Sequence, residues 1–239
     1  MFGRRKKKYM RPARPYCGAV VPAAGQATRM AGQGKLFYEL DGMPLIIHTL
    51  LVLNACPDID EIVVAARSED IVALSGFCRR YGADKVRHIV CGGDTRPQSV
   101  LNGLMALSGK AELAVIHDAA RPFVTPELVS GVIALAAQCG AAALAVPPKD
   151  TVKMAAGGRV QSTVSRDAVM LAQTPQVFNV GLIKGALTKS LQQNWEDTDD
   201  CGAVERMGMT VSLARGSYEN FKVTTPEDLI FAEALIKNR

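Results

Sequence analysis

Along this chain, short apolar runs bounded by proline, glycine or charge alternate with stretches of helical spacing. Residues 17–23 (CGAVVPA) are small and apolar throughout, which predicts a strand buried on both faces in a parallel sheet. The same reading places strands at 61–66 (EIVVAA), 86–90 (VRHIV), 113–117 (LAVIH) and 142–146 (AALAV). Between them, residues 44–55 start at Pro44 and present a broad apolar face, which predicts a helix. Another helix opens at Ser68 as N-cap, with Glu69 and Asp70 complementing its positive end. Helices at 98–108 and from Thr125, a cap followed by Pro126 at the first helical position, complete the alternation. This rhythm predicts an α/β protein with a doubly wound, mostly parallel sheet.

The rhythm breaks after Val146. Two short alternating runs flank Ala156-Gly157-Gly158-Arg159, so residues 147–178 read as a polar hairpin arm projecting from the sheet. Such an arm serves equally as a dimer device, a lid or an ordinary surface hairpin. Helices return at 181–193 and 199–207, with strands near 210–214 and 220–223. A last helix opens at Thr225-Pro226-Glu227-Asp228, a cap with proline and acids in the first turn. Residues 16–239 are thus expected to form one domain.

Composition narrows the classes. The 239 residues are 48% hydrophobic, too apolar for disorder in the bulk of the chain. The longest apolar stretch, Leu45 to Leu53, is interrupted by His48 and Thr49 and falls short of the ~20 residues of a membrane span. The net charge of +5 is misleading. Residues 1–15 hold seven cations and no acid, which leaves 21 basic against 23 acidic residues in the body. A nucleic-acid footprint is therefore confined to the tail, which is expected to be a solvated, disordered extension. That tail lacks the apolar core of a secretory signal, so the expected location is the cytoplasm. Six cysteines show no C-x-x-C spacing and read mostly as buried thiols. His48, His88 and His117 form no H-E-x-x-H, and no G-x-S-x-G occurs, which argues against zinc and α/β hydrolases.

The candidate chemistry lies at the strand ends. After the first strand, Ala23-Ala24-Gly25 and the residues up to Met30 carry little bulk, so backbone N–H groups can approach an anion. Arg29 and Lys35 add two cations, a combination suited to a triphosphate. Neither a P-loop nor a G-x-G-x-x-G is present, and a tight turn beside exposed basic residues accounts for the segment equally well. Two further loops, Gly92 to Ser99 (GGDTRPQS) and His117 to Pro122 (HDAARP), follow other strands. Ligands of open α/β sheets bind outside the carboxyl ends of strands, so three such loops point to one site. Asp118 is then a candidate to orient Mg²⁺ or its waters, because Mg²⁺ takes few protein ligands when phosphates supply the rest.

In order along the chain, PAAGQATRM, GGDTRPQSV, HDAARPF, PPKDTVK, QTPQVF, the TDD of WEDTDDCGA and FKVTTPEDL resemble the 2-C-methyl-D-erythritol 4-phosphate cytidylyltransferase family. The resemblance implies a Rossmann-like nucleotide-transferase fold, a homodimer interlocked through the arm, and cytidylyl transfer from CTP with a divalent metal such as Mg²⁺. It gives Arg29 and Lys35 the triphosphate charge, and Ala23, Ala24, Gly25, Gly93, Asp94 and Ser99 the nucleoside. Asp118 and Arg121 would line the junction of the two substrates. Thr151, Arg166 and Lys222 would hold methylerythritol phosphate, Arg166 and Lys222 sharing in catalysis, and Thr174 and Thr198, in signature stretches near that site, would also bind this substrate. The metal would be held mainly by CTP phosphates and water, near Asp118. Ala27 stands where the family usually has glycine, and CGA replaces its usual residues after TDD. Rival readings are a ribitol-5-phosphate cytidylyltransferase, or a non-catalytic nucleotide- or nucleic-acid-binding protein. Against the first, the family that transfers to ribitol 5-phosphate tends to read A-G-G and D-A-V-R-P where this chain has Ala23-Ala24-Gly25 and Asp118-Ala119-Ala120-Arg121-Pro122.

Overall fold

The computed structural model describes residues 14–25 and 35–238. The tail before Arg14 and the segment carrying Ala27 and Arg29 lie outside them. Arg14, grouped by charge with the tail, belongs to the body: its guanidinium donates to the two Asp60 oxygens at 2.7 and 2.8 Å.

Strand β1 (Cys17–Ala23) is followed by the short β2 (Glu39–Leu40) and β3 (Met43–Pro44), then helix α1 (Leu45–Ala55). The alternation continues through β4 (Glu61–Ala66), α2 (Ile71–Tyr81), β5 (Val86–Cys91), α3 (Arg96–Met105), β6 (Leu113–Ile116), α4 (Pro126–Cys139) and β7 (Ala141–Val146). A hairpin, β8 (Lys153–Ala156) and β9 (Arg159–Thr163), precedes β10 (Leu171–Asn179), α5 (Val180–Gln192), α6 (Asp200–Arg206), β11 (Ser212–Arg215) and α7 (Pro226–Ile236). Among the described residues the main sheet runs β11-β7-β10-β6-β1-β4-β5. Every pairing in it is parallel except those of β10, which is antiparallel to both β6 and β7. From β1 the chain steps to β4 and β5 on one side and returns as β6 on the other. That reversal opens a crevice at the carboxyl ends of β1 and β6.

Burial explains the strands. All residues of β4, β6 and β7 are buried, as strands covered by helices on both faces require. The caps read from sequence are present: the Thr125 and Thr225 side chains accept the amides of Leu128 and Asp228. Ser68 does not cap a helix. Residues Ser68–Asp70 form a 3₁₀ turn, and α2 begins at Ile71, because Arg67 draws Asp70 into a bidentate pair at 2.7 and 3.1 Å. Helix α3 starts at Arg96, two residues earlier than expected, since Thr95 and Gln98 complete a capping box.

Two larger corrections bear on the site. The arm is shorter than 147–178, because Leu171–Asn179 is β10, an interior strand of the main sheet between β7 and β6. Its Pro175 sits where the pairing with β7 slips between Ala172 and Gln176, a break in which a proline without an N–H is tolerated. Residues 220–223 form no strand. They are held by side chains: Asn220, fully buried, donates to the Thr174 carbonyl at 2.9 Å and accepts from Arg121 on its own carbonyl at 2.8 Å. No described helix is long and apolar enough to cross a membrane.

Candidate active site

The carboxyl ends of β1, β4, β5 and β6 open onto a cleft of about 1010 Å³. Ala23, Ala24, Gly25, Gly93, Asp94, Ser99, Asp118 and Lys222 line it together, although they span almost the whole sequence.

One side of the cleft is built by one loop. Gly93 donates its amide to Ser99 Oγ at 3.0 Å, and that hydroxyl donates onward to the Thr95 carbonyl at 3.0 Å. Ser99, 3% exposed, thus shapes the loop from within and turns its main chain toward the cleft. Gly92 is needed for close approach: a Cβ there would collide with the Ala24 methyl and lie 2.8 Å from Ser99 Oγ. Arg67, Ser68 and Glu69 of the turn after β4 also reach the cleft, where the sequence had marked Ser68 and Glu69 only as a helix start and Arg67 not at all.

The opposite side is built from charge. Asp118 sits among three cations, with Lys222 Nζ at 3.1 Å and the guanidinium nitrogens of Arg96 and Arg121 each at 3.4 Å. Burial alone would raise its pKa, but Arg96, Lys222 and Arg121 together outweigh that and hold it far below the usual carboxylate range. Arg96 also reaches Asp200 Oδ2 at 2.8 Å, and Asp200 is 1% exposed. Sequence reading quoted Arg96 within its loop and gave it no role. With the helix expected to open at 98, Arg96 read as a loop residue, and only the observed start of α3 places it in a first turn, where a cation opposes the helix dipole. The turn carrying Asp118 is pinned from below by Thr49 of α1, which donates to the Ala119 carbonyl at 2.9 Å. Val223 donates its amide to the Ala120 carbonyl at 2.9 Å, which brings Lys222 to Asp118. His117 is fully buried beneath this turn, and burial pushes its pKa down to about 4, so it is neutral.

The remaining expected site residues do not line this cleft, and Arg121 is among them, bonded to Asp118 and to the Asn220 carbonyl. Thr174 is 4% exposed, with its hydroxyl against His117 and the Asp118 amide. Thr198 is exposed, one residue before Asp199, the N-cap of α6. Thr151 is exposed on the arm, and so is Arg166, which donates to the Lys149 carbonyl at 3.0 Å. Arg29 and the Lys35 side chain fall outside the described residues.

The model of the 2-C-methyl-D-erythritol 4-phosphate cytidylyltransferase family matches residues 17–238. The chain belongs to that family. Similar members include those of Halalkalibacterium halodurans, 43% identical over 92% of this chain and 96% of that one, and of Syntrophus aciditrophicus, 43% identical over 94% and 97%. Among solved structures, the 4-diphosphocytidyl-2C-methyl-D-erythritol synthase of Anaerococcus prevotii superposes with a TM-score of 0.83 at 33% identity, covering 93% of this chain and 96% of that one. The 2-C-methyl-D-erythritol 4-phosphate cytidylyltransferase of Thermus thermophilus gives 0.75 at 34% identity, covering 92% and 98%. The Rossmann-like α/β fold expected from the sequence is the fold of this family.

The sequence resemblance carries the expectation of a divalent ion, and the donor set bears on it. Among the described residues no three His, Cys, Asp or Glu side chains converge on one point. Asp118 lends its oxygens to three cations already. The described residues therefore build no metal cage of their own.

Proposed function

We propose that this protein transfers the cytidylyl group of CTP to 2-C-methyl-D-erythritol 4-phosphate, giving 4-diphosphocytidyl-2-C-methyl-D-erythritol and pyrophosphate. The observation that carries the reading is Asp118 among Arg96, Arg121 and Lys222, at the edge of a nucleotide-sized cleft in a chain of this family. An oxygen of the acceptor phosphate attacks the α-phosphorus of CTP. The new P–O bond forms as the bond to the β-phosphate oxygen breaks, and pyrophosphate leaves with that electron pair. The attacking phosphate is already anionic at neutral pH, so no general base is needed. The barrier is the approach of two anions, and it falls by positioning and charge neutralisation.

In this reading the Gly92–Ser99 loop and Ala23-Ala24-Gly25 hold the nucleoside, and Arg29 and Lys35 hold the triphosphate. Arg121 and Lys222 meet the acceptor phosphate, with Asp118 fixing their direction. Mg²⁺, when bound, would add neutralisation of the triphosphate, held mainly by phosphate oxygens and water in the neighbourhood of Asp118. Six free cysteines suit a reducing compartment, which supports a cytoplasmic location. The ribitol-5-phosphate reading lacks support from the family match. The intact cations speak against a non-catalytic binding protein.

The acceptor site is completed by a second copy of the chain in a homodimer, its arm bringing Thr151 and Arg166. Every residue of β8 and β9 is exposed, including Met154 at 57% and Val160 at 61%, and a lone hairpin of this kind is marginal without a partner.

A coupled pyrophosphate-release assay with CTP and each polyol phosphate tests the activity. Turnover should require methylerythritol phosphate, and turnover with ribitol 5-phosphate alone would overturn the assignment. Lys35→Met and Arg166→Met should each lose about 10²–10³ in turnover, the scale of one lost preorganised donor. Mixed into heterodimers they should regain part of it, because one of the two sites then holds both intact residues. Heterodimers that form and stay inactive would assign Arg166 to its own subunit or to no site.

A further inference from the structure

One buried polar group beneath the cleft has no part in the proposed chemistry. His117 Nε2 lies 3.1 Å from the Arg121 carbonyl, and Nδ1 lies 3.0 Å from Thr174 Oγ1. A carbonyl oxygen can only accept, so Nε2 carries the proton of the neutral ring and Nδ1 is bare. A bare nitrogen accepts, so the Thr174 hydroxyl spends its one proton there. Its oxygen then accepts the Asp118 amide at 3.0 Å. Each bond in this chain dictates the direction of the next. Both of its ends lie on the main chain of the turn that presents Asp118 to the cleft and holds Arg121 against it.

The turn has few other ways to satisfy these groups. His117 is fully buried and Thr174 is 4% exposed, so water does not substitute for a missing partner. Thr174 is itself fixed from the far side, since the buried Asn220 donates to its carbonyl and accepts from Arg121. The hydroxyl therefore faces inward. That position is unlike the substrate contact that the family resemblance suggests for this residue.

We propose that His117 and Thr174 are positioning residues, which lock the Asp118–Arg121 turn in the geometry that receives the acceptor phosphate and touch neither substrate themselves. The proposal rests on the function inferred above for its kinetic consequences, though not for its tautomer, and its test separates the two. In the full-length protein labelled with ¹⁵N-histidine, His48→Gln and His88→Gln identify the His117 signals by elimination. The expected spectrum at neutral pH is the tautomer protonated at Nε2 with Nδ1 bare. The reverse tautomer or a doubly protonated ring would overturn the proposal, whatever reaction the protein performs.

Kinetics then test the consequence. Thr174→Val and His117→Asn should each lower kcat/KM for methylerythritol phosphate about tenfold or more, as expected when a buried donor and acceptor lose their partners. The KM for CTP should not move, and Thr174→Ser, which keeps the hydroxyl, should restore activity. Because both residues act through one relay, the double variant should be no worse than the poorer single variant. Losses that multiply, or a His117→Asn enzyme of normal activity beside a crippled Thr174→Val, would make Thr174 a direct substrate contact instead. If the substituted chains fail to fold, the wild-type tautomer still decides.

Discussion

The two ends of the cleft are made differently. At the Gly92–Ser99 loop the wall is main chain and small side chains, closed on itself by Ser99 and the Thr95–Gln98 capping box. Around Asp118 the wall is charge: Arg96 from α3 and Lys222 from the segment before α7 line it, and Arg121, from the turn after β6, pairs with the same carboxylate without lining the cleft. A backbone-built wall needs only local sequence, and it is sensitive to added bulk. A wall built from charge needs distant elements to bring its members together, and it is sensitive to the loss of any partner. On the function proposed above, the first end would select the base and the second would join the two anions.

The charged end should therefore depend on its scaffold. Arg96→Met should cost about 3–5 kcal/mol of stability, because it leaves the buried Asp200 without its counter-ion. Chemical denaturation measures this. A loss below about 1 kcal/mol would mean that Arg96 is held loosely and that the two ends do not differ as described.

A somewhat smaller effect should appear with pH. The folded His117 has a pKa of about 4 against an ordinary 6.5, so the unfolded chain binds the proton more readily. Its contribution to stability is complete above pH 6.5 and is lost as pH falls toward 4, by about 3 kcal/mol in all. Asp118, also depressed, extends the loss to lower pH in the same direction. Denaturation midpoints taken between pH 7.5 and 4.5 should fall accordingly, and the slope should shrink in His117→Asn. A flat profile in the wild type would place His117 in contact with solvent.

Legibility in the sequence follows the same division. Strands such as β4 and caps such as Thr125-Pro126 were readable because apolar runs and capping patterns are local. The loops at the strand ends were readable for the same reason. Strand β10 was not: Gln173, Thr174, Pro175 and Gln176 read as part of a polar arm. Their partners are Ser217, His117 and Asp199, distant in sequence, and they turn polar residues into satisfied core. Residues 220–223 failed in the reverse sense. Their strand-like pattern belongs to a segment fixed by Asn220 and Arg121 rather than by a ladder. Arg96 stayed without a role because its value lies in Asp118 and Asp200, which no spacing connects to it.

Separate steady-state KM values for CTP and methylerythritol phosphate, in Gly92→Ala and Lys222→Met, test the division between the two ends most directly. Gly92→Ala forces a methyl against Ala24 and Ser99, so it should raise the KM for CTP and leave the acceptor KM within about twofold. Lys222→Met should do the opposite, raising the acceptor KM and lowering kcat while the KM for CTP holds. A crossed pattern, or both substrates weakened alike by either variant, would contradict the account.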